Sequence, residues 1–209
     1  MSAPYRKPLL VVTLTAALAL AGCSSGESSV AAPTPAATTA SSAPQASSST
    51  GAPSYDAAGL DLCARTDVGA LADLGLTVRR TDARPPNGRP GAACLFEMRT
   101  KTGHEANLRV EASTPATADE AARLYRGTRQ ATGMAPVGPV ADAGEEAEAF
   151  TKQSTPGFKY AEYMVHSRTG NLVVKVWLAV GGDSFTPTAT LATKAIAILS
   201  ATRSAVPVT

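Results

Sequence analysis

The sequence predicts an α+β domain, an antiparallel sheet of about five to six strands covered by about three helices. Three observations lead there. Ala93–Thr100 and Glu105–Ser113 alternate apolar and polar residues on either side of a short glycine-bearing turn. Lys159–His166 and Leu172–Val180 form a second such pair around Ser167-Arg168-Thr169-Gly170. Helical patterns lie before, between and after these hairpins, so the order does not alternate as a βαβ chain does.

The elements follow in chain order. Arg6 and Lys7 precede an apolar run, Leu9–Ala21, that is too short to span a bilayer and ends in the small residues Ala21-Gly22. This is the form of an export signal, expected over residues 1–22. From Ser24 to Asp56 the chain is almost entirely Ser, Ala, Thr, Pro and Gly. Such a composition cannot offset its ordering entropy by burial, so 23–57 is expected to be a disordered tether spanning on the order of 30 Å. One folded domain is expected over 58–206.

Within that domain Thr66 or Asp67 can cap a short helix that turns Val68, Leu71 and Leu74 inward and stops at Gly75. A strand over Leu76–Thr81 and a Pro/Gly-rich loop over Ala83–Gly91 lead into the first hairpin, with Cys94, Phe96 and Met98 on one face of its first strand. Its second strand sets Ala106, Leu108, Val110 and Ala112 on one face. Thr117-Ala118-Asp119-Glu120 has the form of a capping box and opens a helix reaching Thr132, with Ala118, Ala121, Ala122 and Tyr125 inward. Residues 133–157 carry Pro and Gly punctuation and an acidic run, Glu145–Glu148, and give no element. In the second hairpin a four-residue loop would place Met164 opposite Val173, Glu162 opposite Lys175 and Tyr160 opposite Trp177. Thr186-Pro187 reads as N-cap and first residue of a last helix, whose stripe Leu191, Ala195, Ile198, Leu199 fades by Thr202.

Charge narrows the function. The chain of 209 residues has 19 Lys+Arg and 17 Asp+Glu, and the excess of two is Arg6 and Lys7 in the leader. The remainder is formally neutral, which argues against nucleic-acid binding. Beside Cys23 there are two cysteines, Cys63 and Cys94. In an exported domain such a pair is read as a disulfide, and the competing reading as a metal or nucleophilic site lacks Cys-x-x-Cys or His-x-x-x-His spacing. No cofactor or metal is expected.

Candidate chemistry is sparse. Lys101-Thr102-Gly103 spells a tripeptide of serine β-lactamases, but the chain lacks Ser-x-x-Lys, and a hairpin turn with a left-handed glycine accounts for it. His104 reads as a turn residue and His166 as a strand end. Arg123, Arg126 and Arg129 lie on a helix with Asp119 and Glu120 in pairing range, the pattern of a solvated face. Tyr160, Glu162, Lys175 and Trp177 form a candidate partner surface; the alternative is that Trp177 lies under a helix.

Leu20-Ala21-Gly22-Cys23 resembles the lipobox of bacterial lipoproteins. That resemblance implies a diacylglyceryl group on Cys23, a new N-terminus there, and attachment to the cell membrane on its extracytoplasmic side. Taken with the tether, Asp61-Leu62-Cys63, Cys94-Leu95-Phe96 and Gly144-Glu145-Glu146-Ala147, the chain resembles actinobacterial envelope lipoproteins that carry a domain of unknown function. These are distantly like the extracellular sensor domains of mycobacterial Ser/Thr kinases. Phe96 and Leu62 stand where that pattern has tryptophan and proline. The resemblance implies a lipid-anchored envelope module that binds or senses an unknown ligand or protein without catalysis. An envelope hydrolase and a lipid or glycolipid carrier are the alternatives.

Overall fold

The computed structural model describes residues 53–86 and 89–209. The leader, Cys23 and most of the tether lie outside the described residues. Those described form an α+β unit whose seven strands make one antiparallel sheet in the order β1-β2-β3-β7-β6-β5-β4. The strands are β1 (Thr77–Ala83), β2 (Gly91–Arg99), β3 (Glu105–Ser113), β4 (Ala135–Pro139), β5 (Glu146–Ser154), β6 (Lys159–Thr169) and β7 (Leu172–Gly182). The helices are α1 (Leu62–Arg65), α2 (Ala118–Ala131) and α3 (Thr188–Ala205), with a 3₁₀ helix at Val68–Leu74.

The back of the sheet carries the main core. Leu108, Val110, Val165, Val174, Val176 and Leu178 are fully buried there against Leu191, Ala195 and Leu199 of α3. Each such side chain contributes roughly 1.5–3 kcal/mol by leaving water. α1 closes the same face over β1 and β2, and the 3₁₀ helix packs against α3. Asp67 caps the 3₁₀ helix by accepting from the Gly69 amide at 2.8 Å, and Gly75 ends it in the left-handed conformation at φ 63°. The β2–β3 turn holds Gly103 at φ 85°, so the Lys-Thr-Gly tripeptide is a turn.

Several expectations need correction. The sheet has seven strands because 133–157 supplies two of them. β4 carries Pro136, Gly138 and Pro139, which only an edge strand tolerates, and its register shifts between Pro136 and Gly138. Of the acidic run, Glu146 to Glu148 open β5, where the sequence pattern gives no element. Residues 54–57, assigned to the tether, belong to the fold: Tyr55 bridges Val208, Ala57 is 0% exposed, and the Ala57 amide donates to Thr114 Oγ1 at 3.2 Å. Pro187, not Thr186, occupies the N-cap position of α3. The buried stripe of α3 runs on to Thr202, whose hydroxyl satisfies itself on the Ile198 carbonyl at 2.8 Å.

The β6–β7 register also differs. The strands run to Thr169 and Leu172, leaving the two-residue loop Gly170-Asn171. Gly170 has φ 54°, and a Cβ there would stand 2.2 Å from the Pro53 carbonyl oxygen. Asn171 is withdrawn from pairing because its amide group accepts from Tyr55 N at 2.7 Å and donates to the carbonyls of Tyr55 and Pro115. Glu162 therefore pairs with Ala179, Trp177 with Met164, and Tyr160 with Gly181. The shift is by an even number of residues, so the face assignments survive: Tyr160, Glu162, Lys175 and Trp177 all point to the front.

Candidate functional site

The front face is half covered. α2 lies across the end of the sheet where Tyr125 stacks on His166 at 4.2 Å and Phe150 meets His166 edge-on. Thr117 fixes where that helix starts by accepting from the Glu120 amide at 3.2 Å, and the Glu120 carboxylate accepts from the Ala116 amide. Among the described residues no helix lies on the rest of the front, over β1–β3 and the far ends of β6 and β7.

Alternation and register build this open region. Leu95, Arg109, Trp177 and Met164 stand in one row across β2, β3, β7 and β6, and Glu97, Asn107, Ala179 and Glu162 in the next. The half-buried indole of Trp177 is fixed by donating from Nε1 to Glu162 Oε2 at 3.1 Å. Lys152 approaches the other Glu162 oxygen at 4.0 Å. Asn107 donates to the Tyr160 hydroxyl at 3.2 Å, and burial raises the Tyr160 pKa. Thus all four residues of the candidate surface are ordered by partners. Tyr160 and Trp177 do not stand side by side, because Glu162 comes between them.

A row beneath, Glu111 is 7% exposed and takes Arg109 on one oxygen and Lys175 Nζ, at 2.5 Å, on the other. Burial pushes its carboxyl upward, but the two cations outweigh that and hold the pKa below its usual value. Farther under α2, His166 is fully buried and its Nε2 lies 3.0 Å from Glu148 Oε1. Arg129 of α2 reaches the second Glu148 oxygen at 3.4 Å. Desolvation dominates over Glu148 and lowers the His166 pKa. Burial and the Glu148 charge push the Tyr125 hydroxyl to about 12.

Comparison with protein-family models, characterised proteins and solved structures gave no match.

Sequence reasoning missed Arg109, Glu111, Glu148 and His166 as members of this face. Arg109 and Glu111 are two residues apart in a strand, hence neighbours on one face, and that signal was present in the alternation. His166 is mid-strand, not a strand end. His104 lies 3.1 Å from Asp183 and against Phe158, at the opposite end of the strands from His166. Cys63 and Cys94 are brought together, with Sγ atoms at the disulfide distance of 1.97 Å and Cα atoms 5.1 Å apart. Among the described residues there is no group of three or more His, Cys, Asp or Glu arranged to hold a metal. No helix among them is long and apolar enough to cross a membrane.

Proposed function

We propose that this chain is a lipid-anchored module of the cell envelope, related to the actinobacterial lipoproteins it resembles, that binds a ligand or protein partner without catalysis through the open front of its sheet. One observation carries the reading: a half-buried tryptophan held in a fixed pose by a carboxylate, within a mixed-charge face that no helix among the described residues covers. Aromatic and arginine side chains on an ordered, partly desolvated surface are what a contact patch is built from, since little conformational freedom remains to be lost on binding. Arg109 and Glu111 flank the indole and add charge selectivity.

Trp177 is the chain's single tryptophan, so its fluorescence reports on the front of the sheet around it. Acrylamide quenching of the full chain is expected to fall when the envelope fraction holding the partner is added, and Arg109→Glu is expected to abolish that protection. Equal quenching with every fraction would remove the open face as the contact surface.

The anchor is tested separately. Intact mass of protein extracted from membranes is expected to begin at Cys23 and carry acyl mass, with at least two chains, because one chain binds a bilayer only marginally. A retained residue 1 or an unmodified Cys23 would refute it.

A further inference from the structure

Between α2 and the sheet runs a groove of about 600 Å³ whose lining includes Arg89, Arg123, Leu124, Gly127, Met164 and Lys175. Its charge is predominantly positive. Among the described residues Arg89 and Arg123 make no ion pair, whereas Lys175 is held by Glu111. Glu120, the one carboxylate of the lining, keeps its charge while one of its oxygens accepts from the Ala116 amide, so among the described residues two unpaired guanidinium groups face one anion. The floor beside these guanidinium groups is apolar, formed by Leu124 and the 5%-exposed Met164.

Gly127 supplies an independent observation. It sits in the middle of α2, where glycine is the least favourable residue after proline. Its φ is helical, and a Cβ added there would meet nothing within 4 Å, so neither backbone nor packing calls for glycine. Gly127 is part of the groove lining, so a methyl group added there would project into open space at the groove wall.

We propose that this groove binds a phosphate ester with an adjoining alkyl segment, the phosphate on Arg89 and Arg123 and the alkyl part along Leu124 and Met164. Arginine forks match phosphate oxygens in pairs, and the apolar floor rewards a ligand that carries carbon next to its charge. The inference rests on the reading of the chain as a binding module and names a ligand class for a groove beside the open face.

Hexyl phosphate, inorganic phosphate and hexanol, titrated into the full chain by calorimetry and by Trp177 fluorescence, test it. Trp177 pairs across the strands with Met164 of the groove floor, so occupancy is expected to change its emission. Hexyl phosphate is expected to bind at least about tenfold more tightly than either half-ligand, and Arg89→Gln with Arg123→Gln to weaken it about tenfold at unchanged Tm. Gly127→Ala is expected to raise Tm by roughly 2–4 °C while weakening binding, a combination that a purely structural glycine does not produce. Competition by phosphatidylglycerol vesicles assigns the phosphate to a lipid headgroup, and lack of competition assigns it to a soluble ester. Hexyl phosphate that binds no better than hexanol, or that ignores both arginine changes, overturns the proposal. Protection of Trp177 by an envelope fraction would then still stand, so the two failures are distinguishable.

Discussion

Breaking the Cys63–Cys94 link is expected to lower the unfolding free energy by about 3–4 kcal/mol, and Tm by roughly 7–14 °C. The two residues are separated by 31 positions, and the estimate is the chain entropy that the unfolded state regains when that loop opens. The loss should be uneven. α1 has only four residues and cannot persist alone, so what keeps it on β2 is the link together with Leu62, 2% exposed. Denaturant midpoints with and without reductant measure the total, and hydrogen exchange should show residues 57–75 loosening first. Since Cys94 is itself buried, Cys63→Ser alone is the cleaner variant. A change below about 1 kcal/mol would mean that the pair does not cross-link the native protein.

The second large effect is expected at His166. Truncation to alanine removes a fully buried ring stacked on Tyr125, opens a cavity beneath α2 and takes a partner from Glu148; together these should cost about 3 kcal/mol. The imidazole also makes stability depend on pH. Its folded pKa lies below the ordinary 6.5, so as pH falls past that value the unfolded chain takes up the proton before the folded one does. Stability is therefore fully present above about 6.5 and declines as pH falls toward the lower folded pKa. The groups facing the ring are Glu148 from β5, Lys175 from β7, and Tyr125 and Arg129 from α2. Glu111 adds a further loss at lower pH, below about 4.5, because its folded carboxyl is also depressed. His166→Gln should flatten the profile just below 6.5 and leave the acidic limb. An unchanged profile would show that His166 does not titrate on unfolding.

How much of this was legible depends on where the pattern and the packing agree. β3 was readable residue for residue because its alternation, Ala106 to Ala112 against Asn107 to Glu111, coincides with one buried and one half-open face. The capping box and the Gly75 stop were readable because caps are local chemistry. β4 and β5 were not. The prolines of an edge strand look like loop, and in β5 the glutamates find their partners, Arg168 and His166, on a strand more than fifteen residues away. The β6–β7 loop length failed for a related reason. Asn171 is committed to Tyr55, more than a hundred residues earlier, and no local turn rule contains that contact. The four residues of the candidate surface were placed on one face correctly because parity is robust to an even slip, while their neighbour relations depended on the slip itself.

The clip between the two ends of the domain decides how it responds to load. Ser54 and Asp56 exchange backbone hydrogen bonds with Thr209 and Pro207, and Tyr55 is gripped by Asn171 at the tip of the β6–β7 hairpin. Tension applied from the N-terminal side meets these few bonds before it reaches the sheet. Peeled in turn from Pro53 to Ala57, they release a short length of chain and leave all seven strands paired. The segment is thus expected to yield as a mechanical fuse before the sheet does, and single-molecule pulling from the N-terminal side that opens the Trp177 face in the first step would refute it.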